Sequence, residues 1–218
     1  MSETRILLAD DHVIVLEALK KLVESRWRVV GTATDGRSLI TAAEKLLPDV
    51  VVADINMPNL NGMEACDQLK KKLPETKIIF LTVNEDAQMA EEAIRRGASG
   101  YLLKKAAASE LFKAIQTAMA GRIYVTPLIS REPVGVFVSR AMSHSQHEPL
   151  TLRQREVLQL LAEGKSMKEA ADILKVTART IAFHKYSMME QLGIKRNSEL
   201  VLYAAQSGLC RNQVHLTC

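Results

Sequence analysis

The chain has 218 residues, 47% of them hydrophobic and 25% charged, which is typical of a water-soluble globular protein long enough for two domains. No apolar run approaches the roughly 20 residues of a membrane span, and the N-terminus lacks a signal-peptide pattern, so we expect a cytoplasmic protein without a membrane partner. Residues 1–122 carry 17 basic and 17 acidic side chains, whereas residues 123–218 carry 12 and 8, which favours a C-terminal part that meets a polyanion.

Strand and helix patterns alternate five times over residues 1–122. Five short apolar runs predict strands, and a segment with helical spacing follows each of them. Because the crossover helices of parallel strands bury both faces of a sheet, this alternation predicts a doubly wound parallel α/β domain of five strands. We expect the flavodoxin-like strand order 2-1-3-4-5. The predicted strands are RILLA, RVVGTA, VVVA, KIIFLT and GYLLK.

The periodic pattern fails between residues 123 and 149, where prolines and serines predict a linker with a short helix near residues 134–141. His144 and His147 lie in this linker without an acidic or cysteine neighbour, and solvation explains them better than a metal. Residues 150–218 show helical spacing only, in four segments that each open on Ser or Thr. We therefore predict three units, namely a domain over 1–122, a linker over 123–149 and a small all-α domain over 150–218.

Polar side chains stand where four of the five predicted strands end. Asp10 and Asp11 follow the first strand, Asp54 follows the third, Thr82 ends the fourth, and Lys104 ends the fifth. Open parallel sheets bind ligands beyond the carboxyl ends of their strands, so we expect these groups to meet there. Three carboxylates repel one another unless a cation intervenes, and Mg²⁺ accepts carboxylate, carbonyl and phosphate oxygens. Together with a lysine and a hydroxyl, these carboxylates predict phosphoryl transfer to Asp54. The alternative is that the five polar residues only begin unrelated loops.

Residues 1–122 resemble the receiver domain of two-component response regulators. The resemblance rests on the acidic pair, the DINMP segment with Asp54, the threonine Thr82, and the GYLLK segment with Tyr101 and Lys104, in this order and at the spacing of the family. It implies that Asp54 accepts a phosphoryl group from a sensor histidine kinase, and that Thr82 and Lys104 hold the phosphoryl oxygens. It also implies that Asp11, Asp54 and the backbone carbonyl of Asn56 bind Mg²⁺, which Asp10 reaches directly or through water.

The resemblance further implies a switch. Tyr101 swings inward when Thr82 moves, and the added charge biases the surface around the fourth helix and the fifth strand. Taken alone, Tyr101 is also compatible with an ordinary half-buried aromatic of a strand. Asn56 and Asn84 flank the site at positions where the family varies, and we hypothesise that they set the lifetime of the aspartyl phosphate.

Residues 150–209 resemble the helix-turn-helix domain of LuxR-type (NarL/FixJ-type) transcriptional regulators. The resemblance is carried by the segment LTLRQREVLQLLAEGKSMKEAADILKVTARTIAFHKYSMMEQLGIKRNSELV. It implies that the second helix of the motif, capped by Thr177, enters the major groove of double-stranded DNA, and that the last helix makes a homodimer contact on DNA. The predicted DNA-binding residues are Lys165, Lys168, Thr177, Arg179, Thr180, Ala182, Phe183, Lys185, Tyr186 and Arg196.

The outward positions of this second helix depart from many relatives. Ala182, Phe183 and Tyr186 stand where longer polar or basic side chains are frequent. Since Ala and Phe contact a thymine methyl but cannot bind guanine as Arg does, we predict a site read through thymine methyls and DNA shape. The alternative is that Phe183 packs inward and reads no base.

The sequence is thus interpreted as a response regulator, not an enzyme, in which phosphorylation of Asp54 controls dimerisation and DNA binding. In the unphosphorylated chain we expect the linker and receiver either to cover the recognition helix or to hold the protein monomeric, and RNA polymerase is a further candidate partner. A regulator that binds DNA independently of phosphorylation remains a rival. An aspartyl-phosphate phosphatase is disfavoured, because that class places its nucleophile after the first strand and a second Asp two residues later, where Asn56 stands here.

Overall fold

The computed structural model describes residues 3–130, 132–143 and 150–209. The N-terminal part is a parallel sheet with strand order β2-β1-β3-β4-β5-β6, which confirms the predicted order of the first five strands. His144 and His147 lie outside the described residues. The strands are β1 (Arg5–Ala9), β2 (Arg28–Ala33), β3 (Val50–Ala53), β4 (Lys77–Thr82), β5 (Gly100–Leu103) and β6 (Tyr124–Val125). The helices around the sheet are α1 (Val13–Glu24), α2 (Gly36–Leu46), α3 (Gly62–Lys72), α4 (Ala87–Arg95), α5 (Ala107–Met119) and α6 (Val134–Ser143).

Alternation along the central strands builds two cores, one on each face of the sheet. In β3, Val51 and Ala53 belong to the core under α2, α3 and α4, whereas Val50 and Val52 belong to the core under α1 and α5. All four residues are buried. Both faces of a parallel strand are covered by crossover helices, which is why the sequence of β3 is continuously apolar.

The predicted number of five strands is wrong, because β6 adds a sixth strand within the predicted linker. It pairs in parallel with β5, and the following residue, Thr126, donates its backbone N–H to the Tyr101 carbonyl at 3.0 Å. The Thr126 hydroxyl accepts a hydrogen bond from the backbone N–H of Leu103 at 3.2 Å and donates one to Glu110 at 2.9 Å. A strand of two residues has no period that a sequence pattern can detect, so only its pairing reveals it.

The short helix predicted near residues 134–141 is confirmed as α6, which packs against α4. Phe137 and Ala141 are fully buried and belong to the same core as β3 and α3. Arg140 binds the Glu91 carboxylate of α4 at 2.8 Å. The described part of the predicted linker is therefore folded onto the sheet domain.

Residues 150–209 form four helices, as the sequence predicts, around a core of their own. Thr151, Ser166 and Thr177 cap the first three, because their side-chain oxygens accept hydrogen bonds from backbone N–H groups of the first turn. The fourth helix begins at Asn197, so Ser198 is its second residue and not its cap. The helices are α7 (Leu152–Ala162), α8 (Met167–Leu174), α9 (Ala178–Gln191) and α10 (Asn197–Gln206).

The two domains meet where α3 and the loop before it face α7 and the end of α10. Asn61, at the start of α3, donates from its side chain to the Gly208 carbonyl at 2.9 Å. Gln68 of α3 donates to Glu156 of α7 at 2.8 Å. In the part of the chain described here, no helix is long and apolar enough to cross a bilayer.

Candidate functional site

Two buried carboxylates lie side by side at the carboxyl ends of β1 and β3. The backbone N–H of Asp10 donates to the Ala33 carbonyl of β2 at 3.1 Å, and that of Asp54 donates to the Ala9 carbonyl at 2.8 Å. Both acids thus continue the ladder of the sheet by one residue, which fixes their backbones. Asp10 is 0% and Asp54 is 3% exposed. The structure therefore brings together the acids that the sequence predicted to meet.

Lys104 lies between the two acids. Its Nζ atom is 2.6 Å from Oδ2 of Asp10 and 2.8 Å from Oδ2 of Asp54. Burial raises the pKa of Asp54 above its ordinary value, although the ammonium group of Lys104 opposes that change. Burial alone would lower the pKa of Lys104, but its hydrogen bonds to both carboxylates hold that pKa above the usual value. The nucleophile predicted from sequence is thus buried, hydrogen-bonded and close to one fixed cation.

The same end of the sheet carries more negative charge than one lysine can balance. Oxygen atoms of Asp10, Asp11 and Asp54 and a ring nitrogen of His12 all lie within 4.8 Å of one another. His12 Nδ1 is 3.1 Å from Asp10 and 2.9 Å from Asp11. Three carboxylates facing one ammonium leave a net charge that a divalent cation would neutralise, and the oxygen-rich set fits the preference of Mg²⁺. His12 was not among the site residues predicted from sequence, although it directly follows the acidic pair.

Thr82 and Tyr101 lie on neighbouring strands beside the acids. Thr82 is fully buried, and its hydroxyl accepts a hydrogen bond from the backbone N–H of Asn84 at 3.2 Å. Tyr101 is also fully buried, and its hydroxyl donates to the Asn84 carbonyl at 3.0 Å. Burial raises the pKa of this phenol, so it stays a neutral donor. The Tyr101 ring is therefore fully buried and not half-buried. Hydrogen bonds to the backbone of Asn84 connect its hydroxyl to that of Thr82.

The loop between β3 and α3, residues 54–61, lies against the acids. The backbone N–H of Asn56 donates to Oδ1 of Asp54 at 3.3 Å. Gly62, the first residue of α3, packs directly on the Asp54 carbonyl, where a Cβ atom would collide with it. The close packing explains why glycine is required at the start of α3. It also makes the position of the phosphoacceptor candidate dependent on this loop.

The outward face of α9 is accessible in the domain arrangement of the structure. Phe183 is 69% and Tyr186 is 62% exposed, whereas Ile181 and Met188 are buried in the helical core as predicted. The alternative that Phe183 packs inward is wrong. Of the two arrangements expected for the unphosphorylated chain, the one in which the receiver covers this helix is not seen in the described residues, where the receiver contacts α7 and the end of α10.

The remaining residues predicted to contact DNA lie in or beside the last three helices. Lys165 precedes α8 by two residues, Lys168 is the second residue of α8, and Arg196 precedes α10. Side chains at the other predicted positions lie along α9 or at its cap and are at least partly exposed, namely Thr177, Arg179, Thr180, Ala182 and Lys185.

A charged cluster that no sequence pattern predicts lies between the domains. Arg96, just after α4, binds Glu64 at 3.1 Å and Asp67 at 3.0 Å, both on α3. Arg155 of α7 approaches the same acids at 3.2 and 3.3 Å. Glu64 is 1% exposed, and burial raises its pKa to about 7. Because Arg96 and Arg155 lie far in sequence from the two acids of α3, no local pattern predicts this contact.

Known proteins match the chain over both domains. Residues 6–116 match the family model of the response regulator receiver domain, and residues 148–204 match that of bacterial regulatory proteins of the luxR family. The transcriptional regulatory protein MctR of Rhizobium johnstonii is 32% identical over 207 residues, which covers 94% of each chain.

Solved structures of the response regulator RcsB share the architecture. RcsB of Salmonella enterica serovar Typhimurium, bound to promoter rprA with the phosphomimetic BeF₃⁻, is 29% identical and has a TM-score of 0.59, covering 93% of this chain and 98% of that one. A structure of two RcsB dimers bound to two parallel DNAs is 29% identical with a TM-score of 0.55, covering 94% and 98%.

Proposed function

This chain belongs to the two-component response regulators that join a receiver domain to a LuxR-family DNA-binding domain, and we propose that phosphorylation of Asp54 by a sensor histidine kinase controls its action on DNA. The observation that carries the proposal is the convergence of Asp10, Asp54 and Lys104 at the end of the sheet, with nitrogen to oxygen distances of 2.6 and 2.8 Å. A buried carboxylate beside an ammonium group has the surroundings that a phosphoacceptor needs.

In this proposal a carboxylate oxygen of Asp54 attacks the phosphorus of the phosphohistidine, and the bond between phosphorus and nitrogen breaks. Lys104 and Thr82 then bind phosphoryl oxygens, for which Lys104 exchanges part of its present contact with the acids. Asp10, Asp11, Asp54 and the Asn56 carbonyl would hold Mg²⁺, which supplies charge neutralisation for the phosphoryl group. His12 lies close enough to orient both acidic neighbours.

The signal leaves the site through the face formed by α4 and β5. A hydroxyl of Thr82 that turns to a phosphoryl oxygen releases the backbone N–H of Asn84, whose carbonyl holds Tyr101. Asn84 lies just before α4, and α6 packs on α4 through Phe137. A shift at Thr82 therefore reaches the segment that joins the two domains.

DNA binding is assigned to α9 and its basic neighbours. Arg179, Lys185, Lys168 and Lys165 bind phosphates, and these contacts fix the register. Ala182 and Phe183 contact thymine methyl groups. Val201 and Leu202 of α10 are 42% and 53% exposed and form the homodimer contact, in line with the DNA-bound RcsB dimers. We place the protein in the cytoplasm, with RNA polymerase as a further partner.

One observation favours a second candidate, a regulator that binds DNA without phosphorylation. The recognition helix is accessible in this domain arrangement, with Phe183 69% exposed. Gel-shift titration of acetyl-phosphate-treated protein beside Asp54→Ala separates the two. We expect tighter DNA binding only for the treated protein that keeps Asp54. Equal affinities would remove phosphorylation from the mechanism and leave the second candidate.

A further inference from the structure

Gln159 of the DNA-binding domain is hydrogen-bonded to the loop that follows Asp54. Its side chain is 1% exposed, Nε2 donates to the Met57 carbonyl at 2.9 Å, and Oε1 accepts a hydrogen bond from the backbone N–H of Asn61 at 2.6 Å. The two backbone groups lie four residues apart in the loop of residues 54–61. One side chain of α7 therefore bridges the outer side of this loop.

The orientation of the Gln159 amide is fixed by its surroundings. Nε2 faces two acceptors, the Met57 carbonyl and Oε1 of Glu163, the latter at 2.7 Å. Oε2 of Glu163 accepts from the backbone N–H of Asn59 at 3.3 Å, in a loop residue with a left-handed φ of 63°. Since Oε1 of Gln159 faces a donor, a flipped amide would leave both of its ends mismatched. The contact fits one loop conformation only.

This contact lies one residue from the proposed chemistry. Met57 follows Asn56, whose carbonyl is a proposed Mg²⁺ ligand and whose backbone N–H donates to Asp54. The hydrogen bonds of Gln159 go to the loop and to Glu163. Any influence that it has on phosphoryl transfer must therefore act through the loop.

We propose that Gln159 is a positioning residue for phosphoryl transfer, by which the DNA-binding domain holds the loop of residues 54–61 ready for Mg²⁺ and for the phosphoryl group. The inference rests on the proposed function. Without Gln159, the buried Met57 carbonyl and the Asn61 N–H lose their partner, and the loop must be ordered when the ion binds. By thermodynamic linkage, Mg²⁺ at the acids strengthens the contact between the domains by the same factor.

The test compares two glutamines of the same interface in the full-length protein. Gln159→Met keeps the length of the side chain and removes both hydrogen bonds to the loop. Gln68→Met is the matched control, because Gln68 also donates across the interface, to Glu156 at 2.8 Å, but from α3 and not from the loop. The measurements are Mg²⁺ affinity by calorimetry and the rate of phosphorylation by acetyl phosphate.

We expect Gln159→Met to weaken Mg²⁺ binding and slow phosphorylation by about three- to tenfold, while Gln68→Met stays near wild type. Equal effects of the two variants would overturn the proposal, because the loop would then respond to domain contact in general. An unchanged Gln159→Met would overturn it as well.

A second variant, Gln159→Glu, and the phosphorylation of the wild type distinguish failure of this proposal from failure of the proposed function. Gln159→Glu keeps the acceptor for Asn61, loses the donor to Met57 and adds a charge beside Glu163, so it should lose Mg²⁺ affinity too. A wild-type affinity in this variant contradicts the proposal even if the methionine variant fails to fold. If the wild type is not phosphorylated at Asp54, the proposed function fails, whereas the Mg²⁺ comparison still decides the role of Gln159.

Discussion

Removing the charge of Lys104 should destabilise the receiver domain strongly. Lys104 Nζ lies 2.6 and 2.8 Å from carboxylate oxygens whose side chains are 1% and 4% exposed. At an effective dielectric constant near 20, each contact has a gross Coulomb energy of about 6 kcal/mol, most of which the burial of the charges offsets. Breaking a buried pair by deleting one partner typically costs about 3–5 kcal/mol, because the other charge stays buried. We expect a loss of this size for Lys104→Met.

Urea unfolding at neutral pH without Mg²⁺ measures this loss. Lys105→Met is the matched control, because the neighbouring lysine pairs with Glu85 at the surface and its side chain is 53% exposed. That substitution should change the free energy of unfolding by less than about 1 kcal/mol. Added Mg²⁺ should stabilise Lys104→Met more than wild type, since the cation then meets one more uncompensated negative charge.

A double-mutant cycle with Asp54→Asn tests the physical reason. If Lys104 stabilises the domain by compensating the Asp54 carboxylate, neutralising Asp54 should recover part of the loss, with a coupling of roughly 1–3 kcal/mol. Additive effects within about 0.5 kcal/mol, or a loss for Lys104→Met no larger than for the surface control, would refute the reasoning. The lysine would then be a ligand for the phosphoryl group without a structural role.

Three further expectations concern other sites. The pKa of the buried Glu64 is raised from 4.5 to about 7, so the folded state holds a proton that the unfolded chain releases, and the free energy of unfolding should fall between about pH 4.5 and pH 7. In Glu64→Gln the midpoint of urea unfolding should depend less on pH in that window. A parallel decline in both proteins would contradict the assignment. Phe183→Lys should shift the bases selected from a random DNA library away from thymine at one position, whereas an unchanged selection would remove Phe183 from base readout. Asn84→Ala should alter the decay rate of the aspartyl phosphate, followed on phosphate-affinity gels beside Asn56→Ala, and unchanged decay in both would sink the lifetime hypothesis.

Four residues of the candidate phosphorylation site were predictable because each of them lies at the end of a strand. The sequence places Asp10, Asp54, Thr82 and Lys104 directly after apolar runs, and a parallel sheet brings such ends to one edge whatever the details of packing. The order of the first five strands followed from the same reasoning. His12 was missed because a histidine beside two acids has many solvated explanations, and only the 2.9 Å approach to Asp11 makes it part of the cluster.

The sequence by itself determined the folds of the two domains and singled out the candidate phosphoacceptor and the candidate recognition helix. These depend on periodicity and on motifs whose members lie on consecutive elements. Only the tertiary structure decided the sixth strand, the docking of α6 on α4 and the contact of Gln159 with the loop after Asp54. Each of these joins segments that share no local pattern. The hydrogen bond from Gln159 to Met57 joins residues about a hundred positions apart in the chain. It depends on how two folded domains pack together, and the hydrophobic period of either domain does not specify that packing.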